Sequence, residues 1–236
     1  MRSKDELRSK AFWCLLGINL FENLRPEDMQ ELSRYTQNRK YQRGEMIYLP
    51  GDPATTVYFL KKGRVKLVYL DEHGRKLTLA ICRPGQPFGE LMPDEDHKRS
   101  RFMAQALEDV ELCLIGRDEL IRFAQERPHL SLRLAKWVGQ QLREMESKLE
   151  DLIFRDVPVR LARLLERLAR EEGVPATEGI EISLKLTNRE IADLIGSTRE
   201  TTTVLLSQLR RSGVITKRHG RFIITDLEGL KQRCAN

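Results

Sequence analysis

The stretch LTNREIADLIGSTRETTTVLLSQLRRSGVI, residues 186–215, constrains the fold of this chain more than any other. Thr187 and Glu190 have the form of a capping box, in which hydroxyl and carboxylate each satisfy an otherwise unpaired backbone N–H of a first helical turn. Ser197 and Glu200 have the same form, so two helix starts are expected ten residues apart, with Gly196 between them. The first helix is short, with Ile191, Leu194 and Ile195 on its inner face and Ala192 small enough for a close crossing. The second is expected to bury Leu205, Leu206 and Leu209. Two helices joined by a tight glycine-containing turn make a helix-turn-helix, whose second helix enters the DNA major groove with its N-terminal residues at the base edges.

Those residues are Ser197, Thr198, Arg199, Glu200 and Thr203. Arg199 has the fork geometry to contact guanine O6 and N7, and Glu200 can accept a hydrogen bond from cytosine N4. Ser197, Thr198 and the helix N-terminus suit phosphate. Beyond the helix, VITKRHGRFIIT reads as two strands around a turn at His219-Gly220, a wing with Lys217, Arg218 and Arg221 near its tip. Between Arg199 and Arg221 the cations Arg199, Arg210, Arg211, Lys217, Arg218 and Arg221 face a single acid, Glu200. An ordinary helical hairpin with a solvated face would account for the charge. It would not account for caps, glycine, apolar period and charge falling together.

Upstream, short β-rich runs (MIYL at 46, VYFL at 57, RVKLVYL at 64, KLTLAIC at 76, MAQALEDVELCLI at 103) alternate with Gly44, Gly51, Gly63, Gly74, Gly85 and Gly89. Asp71 to Gly74 reads as a hairpin loop, and the whole as a small antiparallel roll or barrel. An amphipathic helix is expected over 7–16, and another from Pro26, with Glu27 and Asp28 favouring its positive end. After the roll, a long helix is expected from Pro128 to Phe154. Its residues Leu134, Val138, Leu142, Met145, Leu149 and Leu152 are spaced 4, 4, 3, 4 and 3, a coiled-coil seam flanked mostly by polar residues, which predicts a homodimer. Asp156 is placed to cap the next helix, with Pro158 in its first turn. The fold class is therefore α+β: a β-roll with N-terminal helices over 1–127, a dimerisation helix and hinge over 128–156, and a winged helix-turn-helix over 157–236.

The formal charge of +6 suits a polyanionic partner but does not select one. Cys14, Cys82, Cys113 and Cys234 form no CxxC or Cys/His cluster, so spacing encodes no zinc or iron-sulfur site, and buried thiols are expected. His73 on the hairpin tip and His97 in an acidic loop are expected to be solvated rather than to hold haem. Neither a metal site nor an iron-sulfur or haem cofactor is expected. No apolar run approaches membrane-spanning length and no signal segment is visible, which predicts a cytoplasmic protein without membrane contact. With no nucleophile/base pair or phosphate loop, an enzyme is not expected.

The order of glycine-punctuated roll, FGEL, long helix, FRDVPVRLARLL and IGSTRETT resembles the cyclic-AMP receptor protein/fumarate-nitrate regulator (CRP/FNR) superfamily over nearly the whole chain. GIEISLKLTNREIADLIGSTR is also similar to the DNA-binding domain of cyanobacterial nitrogen-control regulators. The resemblance implies a cyclic-nucleotide-binding-type jelly roll and a dimer reading a pseudo-palindromic double-stranded operator, acting on RNA polymerase. Arg199 and Glu200 match the family's base-reading pair, whereas Val204 stands where it usually has a third reader, arginine. The family's effector pattern falls on Gly89, Glu90, Leu91, Arg99 and Ser100, with Met145 and Glu146 from the long helix. Arg101 and the acids Asp94, Glu95 and Asp96 depart from that pattern, and Gln141 stands where the nitrogen regulators use arginine. Cyclic AMP, another small-molecule effector and no effector all stay open, as does a sequence-tolerant architectural binder whose roll is only a scaffold.

Overall fold

A computed structural model describes residues 14–90 and 99–235 of the chain. Its contacts cluster into two compact units that divide between Leu142 and Arg143. In the first unit, β1 (Thr36–Tyr41), β2 (Met46–Tyr48), β3 (Thr56–Lys62), β4 (Val65–Leu70), β5 (Lys76–Cys82), β6 (Pro87–Phe88), β7 (Met103–Ala106) and β8 (Val110–Gly116) form two antiparallel four-stranded sheets. Their orders are β1-β8-β3-β6 and β2-β7-β4-β5. Leu112 and Leu114 of β8 join Leu60, Val65, Phe88 and Ala104 in a core drawn from both sheets. Cys113 and Ile115 point the other way and pack with Val57, Phe59, Leu20 and Leu32. A stretch covered on both faces has no polar positions to alternate, which is why residues 57–60 of β3 and 112–115 of β8 read as continuous runs of apolar and aromatic residues.

That second face is covered by a 3-10 turn (Asn19–Phe21), by α1 (Pro26–Arg34) and by α2 (Arg117–Gln125). Proline opens α1 as expected, with Glu27 and Asp28 in its first turn. Asp28 does more than favour a helix end. It is buried, and accepts from Arg25 Nε at 3.0 Å and from Arg127 Nε at 2.9 Å. Arg127 also reaches Glu31 at 2.7 Å and stacks its guanidinium 3.7 Å from the Phe123 ring centroid. The helix expected over 7–16 lies mostly outside the described residues, but Cys14 and Leu15 are helical and buried. Cys14 corrects the reading of four buried thiols, because it forms a disulfide with Cys113. The fold brings their Cα atoms to 5.9 Å across a sequence separation of 99, which no spacing rule can foresee.

The long helix α3 (Pro128–Phe154) is a single element of 27 residues. In the second unit, α4 (Val157–Glu172), β9 (Gly173–Ala176), β10 (Gly179–Ile182), α5 (Asn188–Ile195), α6 (Arg199–Arg211), β11 (Ile215–Arg218), β12 (Arg221–Ile224) and α7 (Leu227–Ala235) follow. The wing strands β11 and β12 are not an isolated hairpin. They continue into a four-stranded sheet of order β11-β12-β10-β9. Asp156 holds the N-cap position of α4, but its side chain makes no cap bond, and its backbone carbonyl accepts from Arg160 N at 3.0 Å instead.

Candidate nucleic-acid interface

Both halves of the Thr187–Glu190 capping box are present. Thr187 Oγ1 accepts from Glu190 N at 3.2 Å, and Glu190 Oε2 accepts from Thr187 N at 2.8 Å. Ile191, Ala192, Leu194 and Ile195 of α5 are all buried. Gly196 ends the helix at φ 61, ψ 51, a left-handed conformation that glycine adopts without steric penalty. The second helix start differs from expectation by one residue. Its cap is Thr198, whose hydroxyl accepts from Thr201 N at 3.1 Å, so Ser197 and Glu200 form no capping box. The left-handed Gly196 displaces the chain enough that Ser197 belongs to the turn and its backbone N bonds back to Ala192 O at 3.0 Å. Thr202, Leu206 and Leu209 form the buried side of α6, with Leu205 half-buried.

Because Glu200 is not needed for capping, its carboxylate is unengaged. Arg199 and Glu200 are both exposed on the first turn of α6, and neither side chain has a hydrogen-bond or ion-pair partner among the described residues. Thr203 is different. Its hydroxyl accepts from Asn188 Nδ2 at 3.0 Å and donates to the Arg199 carbonyl at 2.7 Å, so it ties the two helices together rather than presenting a free group. Asn188 was not foreseen, since nothing at the first position of α5 marks it as reaching α6. The Thr198 hydroxyl is likewise engaged by its cap and by Thr201 Oγ1 at 2.9 Å.

The wing turn at His219 and Gly220 has φ values of 49 and 83, the paired left-handed conformation of a tight hairpin. Its cations are more compensated than the local sequence implied. Arg218 pairs with Glu178, and Arg221 with Glu181 at 3.2 Å; both acids come from the β9–β10 segment, far from the wing along the chain. Lys217 turns inward, with Nζ 3.4 Å from the Leu186 carbonyl and 4.3 Å over the Phe222 ring centroid. Burial, with Arg210 adding repulsion, pushes its pKa down. Glu178→Gln should therefore free Arg218 for phosphate and steepen the slope of log K against log salt by about one unit in a salt titration of DNA binding.

In the roll, the expected effector residues fall in two groups. Glu90 Oε1 accepts from Arg101 N at 2.9 Å, which brings Gly89–Glu90 beside the Arg99–Ser100 segment. Gly89 has φ 102, and a side chain there would meet Thr56 O at 2.9 Å, so the backbone passes too close for any other residue. Arg99 donates from a guanidinium nitrogen to the Gly51 carbonyl at 2.7 Å, while Ser100 is buried and its backbone N bonds to Asp52 O at 2.8 Å. The Arg99–Gly51 bond occupies one nitrogen of the exposed guanidinium and leaves its remaining N–H donors for a phosphate. Leu91 and the acidic loop Asp94–Asp96 lie outside the described residues. Met145 and Glu146 belong to the second unit and are exposed on α3.

Along α3, Leu134 packs partly on the core of the first unit. Val138, Leu142, Met145 and Leu149 are 50%, 59%, 45% and 57% exposed, and Leu152 is half-buried. Ile153 and Phe154, not included in the seam, continue the exposed apolar surface at 61% and 75%. Among the described residues no helix is long and apolar enough to cross a membrane.

Two family models match: a cyclic nucleotide-binding domain over residues 38–127 and a Crp-like helix-turn-helix domain over residues 159–233. The global nitrogen regulator of Synechocystis is 40% identical over 177 residues, 75% of this chain and 79% of that protein. The CRP-like cAMP-activated global transcriptional regulator of Mycobacterium tuberculosis is 30% identical over 229 residues, 97% of this chain and 99% of that protein. A solved CRP-family transcriptional regulator from Thermus thermophilus superposes with a TM-score of 0.72 at 30% identity, covering 84% of this chain and 97% of that one. With its roll, its long helix and its capped helix-turn-helix all in the order these relatives share, the chain belongs to the CRP/FNR family of transcription regulators.

Proposed function

We propose that the chain works as a homodimer that binds a pseudo-palindromic operator sequence-specifically and so regulates transcription in the cytoplasm through RNA polymerase, with no catalytic role. The division of labour is a sensor roll over 1–127, a dimerisation helix and hinge over 128–156, and a DNA-binding domain over 157–236. The observation that carries this reading is the unpartnered Arg199–Glu200 pair on the exposed first turn of α6. An exposed guanidinium and carboxylate held one residue apart on a capped helix match guanine and cytosine edges. A backbone-only binder would have no use for a carboxylate there, since phosphate repels it. Two recognition helices placed about 34–36 Å apart by the α3 seam would meet successive major grooves on one face of DNA.

Arg199→Ala should cost about 1–3 kcal/mol on a selected operator and relax preference at one base pair in each half-site, measured by titrating operator and single-base variants. Unchanged preference would mean that another residue occupies the base-reading position. The competing reading, a sequence-tolerant architectural binder, predicts equal affinity for selected and random duplexes. Modulation by an effector in the roll, by shifting populations of two dimer arrangements, is supported by the close backbone passage at Gly89 beside Arg99–Ser100. The name of the Mycobacterium relative points to cyclic AMP for that protein.

A further inference from the structure

Five cations line a cleft of about 170 Å³ in the second unit, between the last turns of α3 and the outer side of α4: Lys148, Arg160, Arg163, Arg167 and Arg170. Asp151 and Glu166 are the acids of the same lining, and Asp151 is already held by Arg163 at 2.9 Å. Arg167 and Arg170 have no hydrogen-bond or ion-pair partner among the described residues, although Arg167 is half-buried. Arg160 spans the cleft wall. It donates to the Leu152 carbonyl at 3.2 Å and to the Gly196 carbonyl at 3.5 Å, yet its Nε is buried with no acceptor. Burial, with the neighbouring Arg167 adding repulsion, pushes the Lys148 ammonium down to about 8.

We propose that this cleft binds a small phosphate-type anion, the charged end of a phosphorylated metabolite, against Arg167 and Arg170. Guanidiniums spaced one helical turn apart offer paired N–H donors to phosphoryl oxygens, and a half-buried setting strengthens each charge-assisted bond. The site is separate from the roll and from the base-reading face of α6. Arg160 links it to Gly196, the turn of the helix-turn-helix, so occupancy would bear on how firmly that turn is held.

The test uses the full-length protein and isothermal titration with inorganic phosphate and pyrophosphate at fixed ionic strength. One saturable pyrophosphate site per chain is expected, not displaced by equimolar chloride. Arg167→Gln and the exposed Arg170→Gln should each weaken binding at least tenfold without changing the far-ultraviolet circular dichroism spectrum. Absence of saturable binding, or equal binding by both variants, overturns the proposal. If the variants instead lower DNA affinity and flatten its salt slope while pyrophosphate leaves the protein untouched, the cations meet the DNA backbone and the proposal fails. A change in the dimer's sedimentation with no pyrophosphate binding would assign the cations to the subunit interface, and would equally refute it.

A separate observation concerns Val204, which is 57% exposed on α6. It follows Glu200 by four residues and Thr203 by one, and so lies on the same side of the helix as Glu200. An isolated β-branched apolar side chain on that face has one natural complement in the major groove, the thymine C5-methyl group. We infer, resting on the operator reading above, that Val204 selects thymine at one position of each half-site. The test compares operators selected by the wild-type protein with copies carrying uracil in place of each thymine, which removes only the methyl. One uracil position should weaken the wild-type protein about three- to tenfold and leave Val204→Ala much less affected. Specific binding with no uracil-sensitive position refutes the role of Val204 alone. Loss of all operator preference would refute the operator reading itself.

Discussion

Leu142→Asp is expected to convert the protein into a monomer, read by light scattering or sedimentation, and to lower operator affinity by about two to four orders of magnitude. The size of that loss follows from linkage. Once one recognition helix is seated, the second binds at high effective concentration, and a monomer forfeits that advantage without losing any contact to DNA. Leu142 suits the test because it is 59% exposed within a single chain. Its replacement should leave both units intact and, in the proposed dimer, place two carboxylates against each other at the seam. Thermal unfolding at low protein concentration should therefore change little. A dimer that persists would place the interface elsewhere, and would remove the two-fold symmetry on which the operator reading relies.

Arg127→Leu is expected to destabilise the first unit by about 3 kcal/mol or more, because it leaves Asp28 as a buried carboxylate held only by the exposed Arg25. For a chain of this size that corresponds to a fall in Tm of roughly 6–12 °C. The Arg25 guanidinium, then Arg127, holds Asp28 below the ordinary aspartate range against the opposing effect of burial. A depressed folded-state pKa means that this carboxylate stabilises the fold fully above about pH 4 and that its contribution is lost as pH falls through the lower folded value. The gap between wild type and Arg127→Leu should accordingly be full at pH 7 and narrow on acidification below about pH 4, followed by chemical denaturation across that range. A gap that does not change with pH would mean that Arg127 matters through its stacking on Phe123 and not through Asp28.

Period and punctuation are legible in the sequence alone. The two helices of the helix-turn-helix, the glycine between them and the wing turn are each decided by residues within about one turn of one another, where capping, left-handed glycine and hairpin chemistry act locally. The heptad spacing of α3 and the apolar runs of the roll are equally local patterns, and the structure shows both as a long helix and as strands. Local chemistry also set a limit at the second cap, where Ser197 and Thr198 are both competent and only the path of the chain out of Gly196 selects Thr198.

Tertiary structure alone decided whatever depends on residues far apart in sequence meeting in space. Cys14 met Cys113, Asp28 met Arg127, and Asn188 met Thr203. Electrostatics follows the same division. Counted along the chain, the wing is a block of unopposed cations, but antiparallel pairing of β10 with β12 carries Glu181 to Arg221, and the same segment brings Glu178 to Arg218. The sequence by itself determined the long helix, the apolar strands of the roll and the two helices of the helix-turn-helix, because helix caps, turns and apolar periods act over a few residues; the strands β9 and β10 beside the wing were not foreseen. Only the fold decided which charges of the helix-turn-helix and wing are left unpaired, because a charge is neutralised by whatever lies within a few ångströms of it, regardless of how far away along the chain that partner was encoded.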